Sequence, residues 1–281
     1  GPGVPIRRRR RAGAPPMDIY LPIAEMAVNV LLSLGLGGLV GFLSGLFGIG
    51  GGFLTTPLLI FIGIPPAVAA ATSASQIVAP SLSAMLAHWH RGNVDLRMGL
   101  ALLVGGLAGS AAGVAAFAEL HHMAQLDVVI KLSSVVFPGV TGLLMLKESI
   151  TAMRRAGTRP VKPKARRTWL DALPLKMRFR RSRLYISVLL PIAIGFFIGV
   201  LAAIMGVGGG FILVPAMIYV LGMPASVVVG TSLFQIIFVS ASVTILQAAT
   251  TQTVDVVLSL LLVAGGVIGA QFGLRAGLRL R

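Results

Sequence analysis

This chain is poor in charged residues and has no cysteine. Only 11% of its 281 residues are charged, whereas a soluble domain carries roughly 25%. Two long stretches, 26–87 and 184–254, contain no Asp, Glu, Lys, Arg or His. Each can hold several membrane spans of about 20 apolar residues, so the composition excludes an ordinary soluble domain. The absence of cysteine excludes disulfides and thiol chemistry.

Apolar residues are abundant instead. Hydrophobic residues make up 56% of the chain, and the mean hydropathy is +0.92. The apolar runs are continuous and lack the alternating polarity of membrane β-strands. We therefore predict an all-α fold, a polytopic helix bundle with about seven to nine membrane segments of the usual length.

The positive charge is concentrated in two places. The net charge is +16, and 12 of the 24 Lys and Arg residues lie in the segment 154–183. Five more form the run Arg7–Arg11. Basic segments beside apolar spans are typical of cytoplasmic loops, so we expect a bacterial inner-membrane protein with residues 148–183 in the cytoplasm. Net charge alone indicates only non-specific association, and we predict no nucleic-acid partner.

The chain contains an internal duplication. G-F-L-S-G-L-F-G-I-G-G-G-F-L-T-T-P at 41–57 returns as G-V-L-A-A-I-M-G-V-G-G-G-F-I-L-V-P at 199–215, an offset of 158. Further along, Val94-Asp95 matches Val254-Asp255 at an offset of 160. Matching register over such a length predicts two structural repeats.

The repeats divide the chain into four parts. Residues 1–22 form an N-terminal tail, whose Gly1-Pro2 resembles a remnant of tag removal. The first membrane repeat is 23–147, the basic loop is 148–183, and the second repeat is 184–281, which lacks a counterpart to 127–147. The loop charges favour inverted repeats, with the two glycine clusters at opposite membrane faces. The alternative is a parallel pair of repeats with re-entrant glycine-broken segments.

Each glycine cluster interrupts an apolar segment. Breaking a helix in lipid is costly, because its freed backbone groups find no water there, and paired breaks are typical of secondary transporters. If new half-helices begin at Phe53 and Phe211, their N–H groups and positive dipole ends form an anion site without a basic side chain. Close helix packing is the alternative. The candidate donors are Gly50, Gly51, Gly52, Gly208, Gly209 and Gly210.

A duplicated polar motif follows each cluster. It reads Thr-Ser-x-x-Gln and comprises Thr72, Ser73, Gln76, Thr231, Ser232 and Gln235. The threonine and glutamine are four residues apart and share a helical face. These side chains either line an oxyanion site or hydrogen-bond between helices, and we leave both open. Arg91 is a further candidate, at the cytoplasmic mouth, where it could attract an anion.

Catalytic and metal-binding groups are not expected at membrane depth. The carboxylates, among them Asp95 and Asp255, fall at loops or span ends. No nucleophile, base or metal cluster stands inside a span, so we predict no enzyme, no cofactor and no metal. A proton relay through buried carboxylates is disfavoured, whereas sodium coupling stays open.

The duplicated G-x-G-G-G-F-(x)3-P, followed by G-(I/M)-P and T-S-x-x-Q, resembles the sulfite exporter TauE/SafE family over residues 17–281. The stretches I-Y-L-P-I-A-E-M and H-W-H-R-G-N-V-D resemble one bacterial branch of it. The resemblance implies a multi-pass inner-membrane carrier that moves sulfite or small organosulfur and sulfonate anions, mostly outward. The glycine and Thr-Ser positions named above correspond to the family motif. Family members usually run slightly longer and have a closing helix that is missing here.

We therefore expect a secondary transporter, an exporter of a small sulfur-containing anion that works by alternating access in the lipid bilayer. The alternative is an anion channel built on the same backbone donors. A homodimer is left open.

Overall fold

A computed structural model describes residues 18–47, 52–122, 126–154, 175–179, 181–182 and 184–279. The protein is largely helical, as predicted. Two of the candidate donors, Gly50 and Gly51, lie outside the described residues, as does most of the basic loop. The second cluster and Gly52 are described.

The described helices follow one another with two short hairpins between them. The helices are α1 (Val30–Phe47), α2 (Gly52–Phe61), α3 (Pro66–His90), α4 (Leu96–His122), α5 (Leu126–Arg154), α6 (Leu189–Met205), α7 (Gly210–Tyr219), α8 (Ala225–Thr250) and α9 (Val256–Arg279). The strands are β1 (Asp18–Leu21), β2 (Met26–Asn29), β3 (Lys176–Phe179) and β4 (Leu184–Ser187).

Four helices are long and apolar enough to cross a membrane. They are α4, α5, α8 and α9, over Leu96–Leu120, Leu126–Leu143, Ala225–Thr250 and Val256–Gly277. Shorter apolar helices, α1, α2, α6 and α7, accompany them. A ten-residue helix such as α2 or α7 is about 15 Å long, roughly half the hydrocarbon core. Only α2 and α7 among the described apolar helices are thus half-length, whereas α1 and α6, with 18 and 17 residues, are intermediate.

Two antiparallel hairpins lie at the predicted starts of the two repeats, with β1 and β3 in the segments predicted as tail and loop and β2 and β4 in the segments predicted as helix. Asp18 pairs with Asn29 in β1–β2, and Lys176 pairs with Ser187 in β3–β4. The first repeat was expected to begin its span at 23 and the second at 184, but α1 begins at Val30 and α6 at Leu189. In the first hairpin the physical reason is local: Pro22 cannot continue a helix, and Glu25 turns the chain with φ 51°.

Glycines bring the first helix of each repeat against the fourth helix of the other, α1 against α9 and α6 against α4. A Cβ at Gly41 of α1 would lie 2.1 Å from the carbonyl oxygen of Gly266 in α9. A Cβ at the equivalent Gly199 of α6 would lie 2.3 Å from that of Gly106 in α4. Gly105 likewise meets the backbone of Ile192. Close packing thus accounts for the glycines of α4 and α9, because a side chain would separate the backbones.

The start of α2 contacts the second helix break inside the bundle. A Cβ at Gly52 would lie 2.8 Å from the carbonyl oxygen of Val207. The rings of Phe53 and Phe211 are 5.9 Å apart between centroids. The expectation that the clusters lie at opposite membrane faces is therefore wrong for the described residues. The reason is the length of α2 and α7, since a half-length helix ends about midway through the bundle.

Candidate functional site

The second break is built from left-handed glycines. Gly206 ends α6 with φ 68°, and Gly208 and Gly209 follow with φ 67° and 74°. Residues with a Cβ disfavour this conformation, and at Gly206 a Cβ would also lie 1.8 Å from the carbonyl oxygen of Ala70. The next helix, α7, begins at Gly210 with Gly209 at its N-cap and no side-chain cap. Its first backbone donors and its positive dipole end therefore face the break.

A buried hydroxyl lies beside that break. Ser240 of α8 is fully buried, and its Oγ would be 2.9 Å from a Cβ at Gly208. The Oγ has no hydrogen-bond partner within the described part of the chain. Its equivalent in the first repeat, Ser81, is likewise buried and without a partner there. The sequence motif did not include either serine, although both follow the glutamine by five residues.

The two threonines of the duplicated motif do not line an open site. Thr231 Oγ1 accepts a hydrogen bond from the backbone N–H of Asp95 at 3.0 Å. Thr72 Oγ1 accepts the equivalent bond from Asp255 at 3.1 Å. Each threonine thus joins its own repeat to the start of the fourth helix of the other, α4 or α9. For these two residues the structure favours the interhelical alternative.

The aspartates at these bonds are buried, with exposed fractions of 4% for Asp95 and 0% for Asp255. Asp95 Oδ1 accepts the N–H of Met98, and its Oδ2 accepts the N–H and the hydroxyl of Ser182 at 2.9 and 2.7 Å. Each carboxylate therefore caps its own helix and holds a hairpin, because N-terminal N–H groups of a helix lack internal partners.

Asp255 repeats the arrangement. Its Oδ1 accepts the N–H of Leu258 at 3.1 Å, and its Oδ2 accepts the N–H of Ile23 at 3.1 Å. We call each set of bonds an aspartate clasp: Thr231–Asp95–Ser182 and Thr72–Asp255–Ile23. The sequence alone places both aspartates at span ends. The matching Val-Asp pairs are the sequence feature that indicates a shared structural role.

The two motif serines are bonded within their own helices. Ser73 Oγ donates to the carbonyl oxygen of Ala69 at 2.6 Å, and Ser232 Oγ donates to that of Val229 at 2.9 Å. Such back-bonding is a common way for a serine to satisfy its donor inside a helix. Both hydroxyl hydrogens are thus engaged.

The two motif glutamines differ. Gln76 Oε1 accepts a hydrogen bond from Thr55 Oγ1 of α2 at 2.7 Å. Gln235 is fully buried, and neither Oε1 nor Nε2 has a partner within the described residues. The offset of 158 makes Leu213 the counterpart of Thr55, and leucine offers no donor. A Cβ at Gly106 would lie 2.6 Å from Gln235 Nε2, so this amide packs directly against α4.

A small cavity accompanies Gln76. Its volume is about 10 Å³, enough for about one water centre. It is lined by Val40, Gly41, Ser44, Gly52, Gln76, Ile77 and Pro80. Gly52 therefore lies beside Gln76, as the duplicated pattern predicted for a shared site.

Arg91 lies apart from these groups. It is exposed at the C-terminal end of α3. A surface cleft of about 300 Å³ opens nearby, lined by Trp89, Val94, Asp95, Leu96, Arg97 and Arg181. Arg97 and Arg181, which were not candidates, supply the positive charge of this cleft. Within the described residues, no group of three His, Cys, Asp or Glu side chains could hold a metal ion.

The candidate site consists of neutral hydrogen-bonding groups. Its groups are backbone N–H donors, hydroxyls and carboxamides, none of which is a strong acid or base near neutral pH. Such neutral donors can stabilise an anion where water is excluded. Apolar helices, paired breaks and neutral buried donors together define a membrane protein of the transporter class.

The comparisons with known proteins agree. The family model for sulfite exporter TauE/SafE matches residues 33–281, and the chain belongs to this family of membrane transporters. A "Probable membrane transporter protein" of Xylella fastidiosa is 30% identical, over 87% of this chain and 84% of the relative. The "Probable membrane transporter protein YunE" of Bacillus subtilis is 30% identical, over 88% of each. YjnA of Bacillus subtilis, with the same description, is 27% identical, over 88% of this chain and 89% of its own. No solved structure matches the chain.

Proposed function

We propose that this protein is a secondary transporter that exports sulfite or a small organosulfur or sulfonate anion across the bacterial inner membrane. Membership of the sulfite exporter TauE/SafE family supports the substrate class. The observation that carries the proposal is the second break, where left-handed glycines, an uncapped half-helix and the unpaired Ser240 hydroxyl come together. Helix N-termini at such breaks bind anionic substrates in other transporters.

We further propose that transport proceeds by alternating access between inverted repeats. The contacts support opposite directions for the equivalent helices α3 and α8. Along α3 and α9, Thr72 meets Asp255 and Gln76 meets Gly266, so these two helices run the same way. The end of α8 leads directly to Asp255, which lies beside the start of α3. The start of α8 meets Asp95, just beyond the end of α3.

The aspartate clasps suit such a mechanism. The Asp95 clasp lies next to the β3–β4 hairpin, which follows the basic loop that we assign to the cytoplasm. The Asp255 clasp lies next to the β1–β2 hairpin, at the other end of α3. Opening toward one side would release the clasp on that side while the other stays closed. Throughout the transport cycle, the glycine breaks would stay between the half-length helices α2 and α7.

The test is uptake into proteoliposomes of labelled sulfite, sulfonates, thiosulfate and phosphate, with Gly208→Ala as the site variant. At Gly208 a side chain is strained and crowds Ser240, so we expect transport to fall by about 10- to 100-fold, as displaced binding groups do. Gly222→Ala is the matched control, because Gly222 also has a positive φ of 71° but its Cβ would meet nothing within 4 Å.

Equal transport by Gly208→Ala and wild type, at equal protein per liposome, would contradict the proposed site. Saturable uptake with counterflow is the expected behaviour of a carrier. Single-channel currents would instead support the anion channel and overturn alternating access.

A further inference from the structure

We propose that Gln235 is the specificity-determining residue of this transporter and that its amide selects anions that also carry an O–H or N–H group. This inference rests on the proposed function and names the chemistry of the substrate within it. Gln76 and Gln235 occupy equivalent positions in the two repeats but have different surroundings.

The buried amide of Gln235 has no hydrogen-bond partner within the described residues. Both glutamines are buried, with exposed fractions of 2% for Gln76 and 0% for Gln235. Gln76 has Thr55 as its partner, whereas Leu213 takes that place in the second repeat. Leaving a buried polar group unsatisfied costs about 1–3 kcal/mol. A bound ligand that forms the missing hydrogen bonds with Gln235 would offset this free-energy cost.

A carboxamide forms hydrogen bonds with two kinds of partner, acceptors at its nitrogen and donors at its oxygen. Its Nε2 donates two hydrogen bonds, which suit the oxygens of a sulfur oxyanion. Its Oε1 only accepts, so it needs a donor from the ligand. A fully deprotonated oxyanion or a simple alkanesulfonate satisfies the first need alone. Hydrogen sulfite, or a sulfonate with a hydroxyl or amino group, satisfies both.

Within the described residues, no side chain forms a hydrogen bond with the Gln235 amide, and the second repeat places no charge around it. The apolar stretch 184–254, which includes all of α6, α7 and α8, contains no Asp, Glu, Lys, Arg or His. The Nε2 atom faces the backbone of α4 at Gly106, where a side chain would collide with it. Separation of α8 from α4 would therefore expose this amide to an incoming ligand.

The first experiment compares two equivalent substitutions by thermal unfolding without substrate. Gln235→Met removes an amide that has no partner, so we expect the midpoint to rise by about 2–4 °C. Gln76→Met leaves the Thr55 hydroxyl buried without its acceptor, so we expect the midpoint to fall by a similar amount. A fall of equal size in both variants would overturn the inference, because Gln235 would then have a partner within the protein.

The second experiment compares two ligands that differ by one hydroxyl, hydroxymethanesulfonate and methanesulfonate, in competition with labelled substrate. For the wild type we expect about tenfold stronger competition by the hydroxylated anion, the effect of about one additional hydrogen bond to a buried polar group. Gln235→Met should lose this preference, whereas Gly222→Ala should keep it. A preference that survives in Gln235→Met would overturn the inference.

A gain-of-partner variant provides the last check. Leu213→Thr gives Gln235 the hydroxyl that Thr55 gives Gln76, so we expect a loss of the same preference with folding retained. An unchanged preference in this variant, with the protein folded, counts against the inference. The two proposals fail differently. If no sulfur anion is transported, the proposed function fails; if both anions compete equally in the wild type, only the role of Gln235 fails.

Discussion

The two repeats are alike at their aspartates and unlike at their glutamines. Asp95 and Asp255 each cap a helix, hold a hairpin and receive a threonine from the other repeat. Gln76 is hydrogen-bonded, whereas Gln235 has no partner among the residues that the structure describes. The difference separates two kinds of duplicated residue. Residues that hold the repeats together have matching partners in both halves, whereas Gln235 differs from its counterpart, as we propose for a residue that binds the ligand.

The glycine seams belong with the symmetric part. We define the seams as the α1–α9 and α4–α6 contacts, where glycines let backbones touch. The largest effect is expected from Gly41→Leu and Gly199→Leu, since either side chain would collide with a facing carbonyl oxygen. Overpacking costs typically about 1–3 kcal/mol and more against rigid backbone. We expect both variants to lose the monodisperse peak in size-exclusion chromatography.

Gly35→Leu is the control for the seams. A Cβ at Gly35 would have nothing within 4 Å, although Gly35 lies in the same helix as Gly41. This variant should elute like the wild type. Equal damage by Gly35→Leu would show that helix composition, rather than close approach, limits α1.

The aspartate clasps come next, and they should not be equally strong. Asp95 accepts two hydrogen bonds from Ser182, whereas Asp255 accepts one from Ile23. A hydrogen bond to a charged group contributes about 1.5–3 kcal/mol. Asp95→Ala should therefore destabilise by more than Asp255→Ala, by about the value of one such bond. The midpoints of thermal unfolding measure the difference.

Ser182→Ala sharpens this comparison, because it removes the extra hydroxyl and leaves the backbone bond. In that background Asp95→Ala and Asp255→Ala should cost nearly the same. A difference that persists would mean that the Ser182 hydroxyl is not the cause of the asymmetry.

The smallest effect is expected at the threonines. Thr72→Val and Thr231→Val each remove one acceptor from a buried aspartate N–H. An unsatisfied buried donor costs about 1–3 kcal/mol, and the two variants should agree within about 0.5 kcal/mol because the two bonds have equivalent geometry. Chemical unfolding in detergent compares the pair. Unequal losses of unfolding free energy would show that the two clasps differ in strength although their hydrogen bonds have equivalent geometry.

Several features could be predicted from the sequence because they depend on local pattern. The apolar stretches predicted a helical membrane protein, and the repeated glycines predicted both the breaks and the close packing of helices. The left-handed Gly206, Gly208 and Gly209 confirm a break at the second cluster. The two hairpins were missed, because short strands beside apolar spans carry almost no periodic signal.

The candidate site could be predicted only in part. Gly52 and Gln76 lie together, as expected, but Thr72 and Thr231 hold aspartates of the other repeat. Spacing along one helix says which residues share a face, not what that face contacts. Asp95 and Asp255 looked like ordinary span ends for the same reason. Their partners are more than 80 residues away in the chain.

Composition by itself determined that this protein is a helical membrane protein, and the duplicated motifs predicted two related halves, since hydropathy and repeat register are properties of the chain alone. Tertiary structure alone decided which of the duplicated residues have a hydrogen-bond partner. Gln76 and Gln235 have the same motif around them, yet within the described part of the chain Gln76 accepts a hydrogen bond from a hydroxyl and Gln235 does not. A hydrogen bond depends on the position of both atoms, and the second atom comes from another helix.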